Sequence, residues 1–411
     1  MKILIYAHLF PPSKGGIQYS NLEIIKGLNL LGHDIRVIVC HNKGIRKYVG
    51  NFPFSVRILP KWNFTYMYSL NHRGFLNWIF LPLYCFLIAR EIKNFQPDVG
   101  LVTDETANAF WGAMYRYHHI RYVSYWSVPI TRPEKLNSKN RAANKIYQLI
   151  LKQLLKWLWR SYTGAESILV VSNSTKEQLI REKPEIRDRI EIVPRSIDDQ
   201  IFETPVDHHK IKKIQKNLGI DCENFVLLSV ARLAQKKGID DVIKALAILD
   251  QEELRKIKYV VVGSGSGERY LKKLVQSLNL DMNVIFTGTI EHVKLISFYD
   301  ICDIFILPSR RGISESFGRV FVEAASRCKA SIGVDEGGMS DIIEDGLTGF
   351  LTRSGDTQDI KEIIKYCISN REKILSMGVN AKKKAKQNYT CMAIAKKFDK
   401  HLKMAVAKTV N

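Results

Sequence analysis

Along most of the chain, short runs of β-branched and aliphatic residues alternate with longer stretches in which apolar positions recur every three or four residues. KILIYAHLF predicts a strand, QYSNLEIIKGLNLLG a helix closed by Gly32, and DIRVIVC the next strand, which makes one β–α–β unit. ESILVVS followed by NSTKEQLI, with its Asn/Ser start, repeats the strand-to-helix step, and YVSYWSVP reads as a further strand. The pattern then restarts. NFVLLSVARL, KYVVVGSG, NVIFTG and DIFILPS predict strands, and DDVIKALAIL and ERYLKKLVQSL predict helices. No sequence repeat is present, yet the same architecture occurs twice. The expectation is an α/β protein of two doubly wound Rossmann-like domains facing a central cleft. The polar, Pro-containing stretch IDDQIFETPVDHHKIKK marks the join. The expected boundaries are an N-terminal domain over 1–198, a linker over 199–223 and a C-terminal domain over 224–390. A C-terminal helix over 391–411 is expected to pack back towards the first domain.

Two apolar segments invite a membrane reading, and neither carries it. Phe75 to Ala89 contains Asn77 and Pro82 and falls short of the ~20 apolar residues that span a bilayer. A buried or surface-lying helix is expected there. The N-terminal MKILIYAHLFPPSKGG has one Lys, is broken by His8 and lacks a small-residue cleavage site, so it predicts a strand and not a signal peptide.

Charge adds a partner class. The chain has 62 Lys+Arg against 41 Asp+Glu, a net charge of +21, which suits a polyanion or an anionic membrane surface. From Lys135 to Ala165 there are seven cations and no acid. At about 100° per helical residue, Lys145, Lys152, Lys156 and Arg160 fall on one face. Ile146, Ile150, Leu151, Leu154 and Leu158 cover the other, flanked by Trp157 and Trp159. Two readings stand: an interfacial helix on the membrane, helped by the aromatic cluster KWNFTYMY, or a helix packed on its own sheet with solvated lysines. Seven dispersed cysteines read as buried thiols in a reducing cytoplasm.

In open α/β sheets ligands sit beyond the carboxyl ends of the strands, so the loops there hold the candidate chemistry. After the first strand, PPSKGG offers Gly15 and Gly16 before a helix, a place for an anion or a plain flexible turn. VARLAQKKG places Arg232, Lys236 and Lys237 after a strand, where a guanidinium and an ammonium suit a diphosphate, or form a solvated basic loop. VVGSGSGERYL supplies Gly263 and Gly265 for close passage of a nucleotide. Neither glycine loop is GxGxxG, which counts against a dinucleotide-binding oxidoreductase. In LPSRRGISESFGRVFVEAASR, Ser314 or Ser316 is expected to cap a helix through Val320 and Ala324. The amides of Phe317, Gly318 and Arg319 would then face a phosphate. Glu315 would lie in the loop, with Glu323 about two turns into the helix. Carboxylates so spaced suit hydroxyls at two ends of a nucleotide sugar. Gly337–Gly338 and a turn at Asp345–Gly346 complete the set.

Taken together, these loops resemble the GT-B glycosyltransferases of the retaining family-4 group. The resemblance covers the first 40 or so residues and most of the C-terminal half. It rests on E-x7-E at Glu315 and Glu323 with Phe317–Gly318 between them, on Arg232 and Lys237, and on the early Gly-Gly followed by a helix and GHDIRVIV. It implies a sugar nucleotide on the C-terminal domain and a glycan or polyprenyl-linked acceptor on the N-terminal domain. It implies a hexosyltransferase of bacterial envelope polysaccharide synthesis, acting by a front-face retaining route. Arg232 and Lys237 would neutralise the departing diphosphate, Glu323 would bind the ribose hydroxyls and Glu315 a hydroxyl of the transferred sugar. No metal and no other cofactor is implied. The expected setting is the cytoplasm, with peripheral contact at the anionic inner face of the membrane and no nucleic-acid partner.

The sequence departs from the family at three places. Tyr125 and Trp126 stand where relatives often carry a His, Arg195–Ser196 where Asn-Gly is frequent, and Cys328-Lys329-Ala330 where Gly-x-Pro is usual. A sugar-nucleotide epimerase of the same fold and a basic nucleic-acid-binding protein are the alternatives. The latter has no recognisable RNA- or DNA-binding motif to support it.

Overall fold

The structure, a computed structural model, describes residues 1–7, 9–12, 16–41, 44–59, 81–103, 105–126, 159–160, 163–310 and 316–407. The chain divides into two compact units. One is Met1–Ser196 with Cys391–Asn411, and the other is Ile197–Thr390. The segment 199–223, expected as a linker, belongs to the second unit and forms helices Gln200–Glu203 and His208–Leu218. The latter is capped by Asp207, whose side chain accepts from the Lys210 amide at 3.0 Å, and is closed by Gly219. A polar sequence with two good caps makes an exposed helix as readily as a linker.

In the first unit seven parallel strands are described: β1 (Lys2–Tyr6), β2 (Asp34–Cys40), β3 (Ser55–Leu59), β4 (Val99–Val102), β5 (Tyr122–Trp126), β6 (Ser167–Val170) and β7 (Ile190–Ile192). Their order is β3-β2-β1-β4-β5-β6-β7. The central strands are buried on both faces, which is why they read as unbroken apolar runs. The helix Leu81–Phe95 settles the apolar segment as far as it is described: Tyr84, Ile88, Ile92 and Phe95 line one face of it and enter the core. No helix among the described residues is long and apolar enough to cross a membrane. The helix Cys391–Ala407 packs on the helix Gly16–Leu30. Cys391 Sγ lies 2.9 Å from the Glu23 carbonyl, and His33 Nε2 lies 2.9 Å from Asp399 Oδ1. A Cβ on Gly27 would meet that of Ala395 at 2.6 Å, so the two helices touch where one of them has no side chain.

The second unit holds six parallel strands: β8 (Phe225–Val230), β9 (Ile257–Val262), β10 (Val284–Gly288), β11 (Ile304–Ile306), β12 (Ala330–Val334) and β13 (Gly349–Thr352). Their order is β10-β9-β8-β11-β12-β13. In both sheets the order reverses direction once, between β1 and β4 and between β8 and β11. Such a switch point leaves a crevice at the carboxyl ends of the two central strands, because their connections depart to opposite sides.

The units differ sharply in charge. The first holds 33 Lys+Arg against 14 Asp+Glu, the second 29 against 27. The basic excess is thus a property of the first unit.

Candidate active site

The loops that follow β8 and β11 flank the switch point of the second sheet, and the structure ties them together. Gly238 has φ +67°, and a Cβ there would overlap the Pro308 carbonyl oxygen. The Arg310 amide donates to the Lys236 carbonyl at 2.8 Å. The Arg310 side chain reaches back further. Its Nε and Nη2 donate to the two oxygens of Asp241 at 3.0 and 2.6 Å, Nη2 also to Asp240 at 2.6 Å, and Nη1 to the Gln235 carbonyl at 3.2 Å. Asp240 and Asp241 are buried in the first turn of the helix Ile239–Ala247. These bonds, Asp241's foremost, raise the Arg310 pKa above its ordinary value. Arg310 therefore spends its charge within the protein. Of the cations at this switch point, Arg232 is exposed, while Lys236 and Lys237 are half-buried in the turn Gln235–Lys237.

The neighbouring loops join the same cluster. Gly263, at φ +134°, lies so close to the Ala231 carbonyl that a Cβ would overlap it, and Gly265 stands likewise against the Leu233 carbonyl. The protein's own 231–233 backbone thus needs the space that these two glycines leave. On the other side, a Cβ on Gly338 would overlap the Ser316 carbonyl oxygen, which brings the loop after β12 onto the Ser316–Gly318 turn. At the carboxyl ends of these strands, the segments 231–238, 263–267 and 307–310 thus pack together, and the turn 316–318 packs on 335–338.

The Ser316–Gly318 turn differs from its expected form. The helix runs Arg319–Ser326, and its N-cap residue is Gly318 and not a serine; Ser314 lies outside the described residues. Gly318, at φ −84° and ψ 72°, is the centre of an inverse γ-turn in which the Arg319 amide donates to the Phe317 carbonyl at 3.1 Å. That amide is engaged within the chain and not offered to a phosphate. The tight turn delays the helix by several residues, so Glu323 lies one turn inside it and not two. Phe317 and Gly318 are both buried, and the Phe317 ring packs on Tyr389 at 5.8 Å between centroids. Glu315 lies outside the described residues, as do Gly15 and Lys145, Lys152 and Lys156.

Glu323 is 3% exposed. Its Oε1 accepts from Arg319 Nε at 2.8 Å, and its Oε2 accepts from the Tyr299 hydroxyl at 2.9 Å. Tyr299 projects from the helix His292–Ile301 and is fully buried. Burial first, and the Glu323 charge second, hold its pKa well above the ordinary 10. The sequence reading missed both Tyr299 and Arg310. The Tyr299 signal was weak, one aromatic in an apolar helix. Arg310 could have been suspected from the Asp240–Asp241 pair awaiting a cation.

In the first unit, Gly16 opens the helix after β1 and is exposed. Tyr125 and Trp126 end β5 fully buried. Tyr125 stacks edge-on with Phe398 at 4.9 Å, and Trp126 Nε1 donates to Ser124 Oγ at 2.8 Å. Both are core aromatics, so neither stands in for an accessible imidazole. Arg160 is exposed, and its carbonyl accepts from Arg116 Nη1 at 2.5 Å. Trp159 tilts against Trp126 at 6.2 Å with the Lys183 ammonium 5.6 Å from its ring, which seats the end of the basic segment on the core.

Two parallel, doubly wound sheets with ligand-type loops at a switch point define the GT-B glycosyltransferase fold. The Anabaena protein Alr3699/HepE, crystallised with UDP, shares it at a TM-score of 0.75 and 20% identity, over 98% of this chain and 100% of that one. Residues 14–201 match the family described as Glycosyltransferase Family 4, and residues 210–384 match Glycosyl transferases group 1. The two cover nearly all of the chain, which belongs to this glycosyltransferase family. It is 27% identical over 259 residues to an uncharacterized glycosyltransferase, MJ1069, of Methanocaldococcus jannaschii, over 62% of each protein. It is 22% identical over 395 residues to the alpha-monoglucosyldiacylglycerol synthase of Acholeplasma laidlawii, over 93% of this chain and 91% of that one. The chain spans less than two thirds of the length of the Methanocaldococcus relative and most of the Acholeplasma one.

Proposed function

We propose that the protein is a retaining glycosyltransferase that moves a sugar from a nucleotide-sugar donor to a hydroxyl of a glycan or lipid-linked acceptor. The observation that supports this reading is the meeting of the loops 231–238 and 307–310 at the switch point of the second unit, with Arg232 and Lys237 on the first of them and Glu323 on the helix that follows β11. The donor lies there, with Arg232 and Lys237 against the diphosphate and Glu323 at the ribose hydroxyls. Glu315 holds a hydroxyl of the transferred sugar. The bond between the anomeric carbon and the phosphate oxygen breaks, and its electron pair leaves with the diphosphate. The acceptor hydroxyl attacks the oxocarbenium-like carbon from the same face and passes its proton to a phosphate oxygen. The cations act by stabilising charge that develops only as the bond breaks.

The first unit takes the acceptor. Its excess of cations suits an anionic membrane surface, and the full-length likeness to a glycolipid synthase favours an acceptor carried on a lipid. Envelope polysaccharide synthesis at the inner face of the cytoplasmic membrane is the setting we assign.

Thermal stabilisation by a panel of UDP-, GDP-, ADP- and dTDP-sugars tests the donor site, on wild type and on Glu323→Ala. Stabilisation by one nucleotide, lost in the variant, is the expected result. No stabilisation by any of them sinks the reading.

A further inference from the structure

Two acids stand where an anion is expected. Asp240 and Asp241 lie in the first turn of the helix Ile239–Ala247, each 3% exposed. Lys237, which the reading above sets against the diphosphate, is three residues before Asp240, so their Cα atoms lie within about 11 Å of each other. The N-terminus of a helix favours an anion, yet two carboxylates in its first turn oppose that and repel a phosphate. Salt screens buried charges poorly, so the repulsion would persist at physiological ionic strength.

Arg310 answers both acids. Its guanidinium bonds Asp241 at 3.0 and 2.6 Å and Asp240 at 2.6 Å. Lys244 faces Asp240 at 3.7 Å from a side chain that is 45% exposed. Two cations thus meet two carboxylates, and the group is close to neutral. Without Arg310 it would hold a net negative charge beside the diphosphate. Arg310 also fixes the turn that carries Lys237, since its amide donates to the Lys236 carbonyl at 2.8 Å and its Nη1 to the Gln235 carbonyl at 3.2 Å. One side chain therefore places a ligand cation and removes the field that would work against it. We infer that Arg310 is a positioning residue which, through Asp240 and Asp241, sets how strongly the donor site prefers a nucleoside diphosphate to a nucleoside monophosphate. The inference rests on the donor-site reading above and adds what governs selection by ligand charge at that site.

The test is calorimetric binding of UDP and UMP, GDP and GMP, and ADP and AMP to the full chain. The readout is the ratio of the two Kd values within the pair whose base binds tightest. A diphosphate carries more negative charge than its monophosphate, so the ratio reports the field at the site, and loss of folded protein scales both members alike. Arg310→Ala is expected to lower the preference for the diphosphate by about threefold to tenfold, the worth of one charge about 10 Å away near a protein surface. The double variant Asp240→Asn, Asp241→Asn, with Arg310 in place, is expected to raise it by a similar factor. Opposite signs mark a charge effect, because a brace that merely holds the fold moves both ratios down or neither. Should Arg310→Ala not fold, the double variant carries the test alone, and an unchanged or lowered ratio there overturns the inference. An unchanged ratio in a folded Arg310→Ala, or a ratio that falls in both variants, overturns it too and leaves the donor site standing. Failure of wild type to bind any of these nucleotides overturns the donor-site reading, and the inference with it.

Discussion

The guanidinium of Arg310 meets the carboxylate of Asp241 in a two-pronged ion pair, at 2.6 and 3.0 Å, across the switch point of the second sheet. Asp241 and its neighbour Asp240 are buried, so removal of Arg310 strands two acids. Stranding a buried charge costs about 3–5 kcal/mol. The low end applies here, because Arg310 is 26% exposed and Lys244 still faces Asp240 at 3.7 Å. Arg310→Ala is therefore expected to lower stability by about 3 kcal/mol in urea unfolding. Arg310→Lys keeps the charge but not the fork, and is expected to recover only part of the loss.

Gly238 and Gly263 combine a positive φ with a carbonyl oxygen where a Cβ would stand. Alanine at either position is expected to cost more than about 2 kcal/mol, since strain and overlap add. The same variants displace the 231–238 loop, so nucleotide binding weakens with stability. Ala at Gly346, also at positive φ but with open space around it, serves as the comparison that isolates the backbone strain.

Arg232 is exposed, and Arg232→Ala is expected to leave the melting temperature within a degree or two while transferase turnover falls about tenfold to a hundredfold. Lys237→Ala is expected to behave similarly with a smaller loss. A full-rate Arg232→Ala enzyme would remove the guanidinium from the diphosphate site.

His401, on the helix Cys391–Ala407, is buried, and its Nδ1 has no hydrogen-bond partner among the described residues. Burial lowers its pKa below the ordinary 6.5. The unfolded chain then binds the proton more readily than the folded one, so this group withdraws stability as pH falls through 6.5 towards the folded value. Below that value the withdrawal is complete. His401→Gln is expected to flatten the slope of stability between about pH 5 and 7. An unchanged slope in chemical unfolding of the variant would assign the acid sensitivity to other groups.

The fold was legible because parallel strands buried on both faces leave unbroken apolar runs such as FVLLSV, and because glycines and caps mark the turns. Short strands such as Ile190–Ile192 and Gly349–Thr352 carry too few residues to stand out. At the site, the loops could be placed from sequence because they follow strands. Their mutual contacts could not. That Gly263 yields to the Ala231 carbonyl, or that Tyr299 reaches Glu323 across 24 positions, depends on tertiary neighbours that no local pattern encodes. The helix start at Arg319 was misjudged for a related reason. Ser314 and Ser316 have the chemistry of caps, but the γ-turn at Gly318 fixes the backbone first.

The passage of the chain between its two units has a consequence in time. The second unit runs from Ile197 to Thr390, and its ends lie side by side, with the Ile197 amide bonded to the Tyr389 carbonyl at 3.1 Å. The helix that covers Gly27 of the first unit begins only at Cys391. During synthesis from the N-terminus, the sheet made first must therefore wait, with its helix Gly16–Leu30 uncovered, while the whole of the later unit emerges and closes. The segment translated after the second unit completes the unit translated before it. A chain cut after Thr390 would hold every residue of the second unit and a first unit without its covering helix.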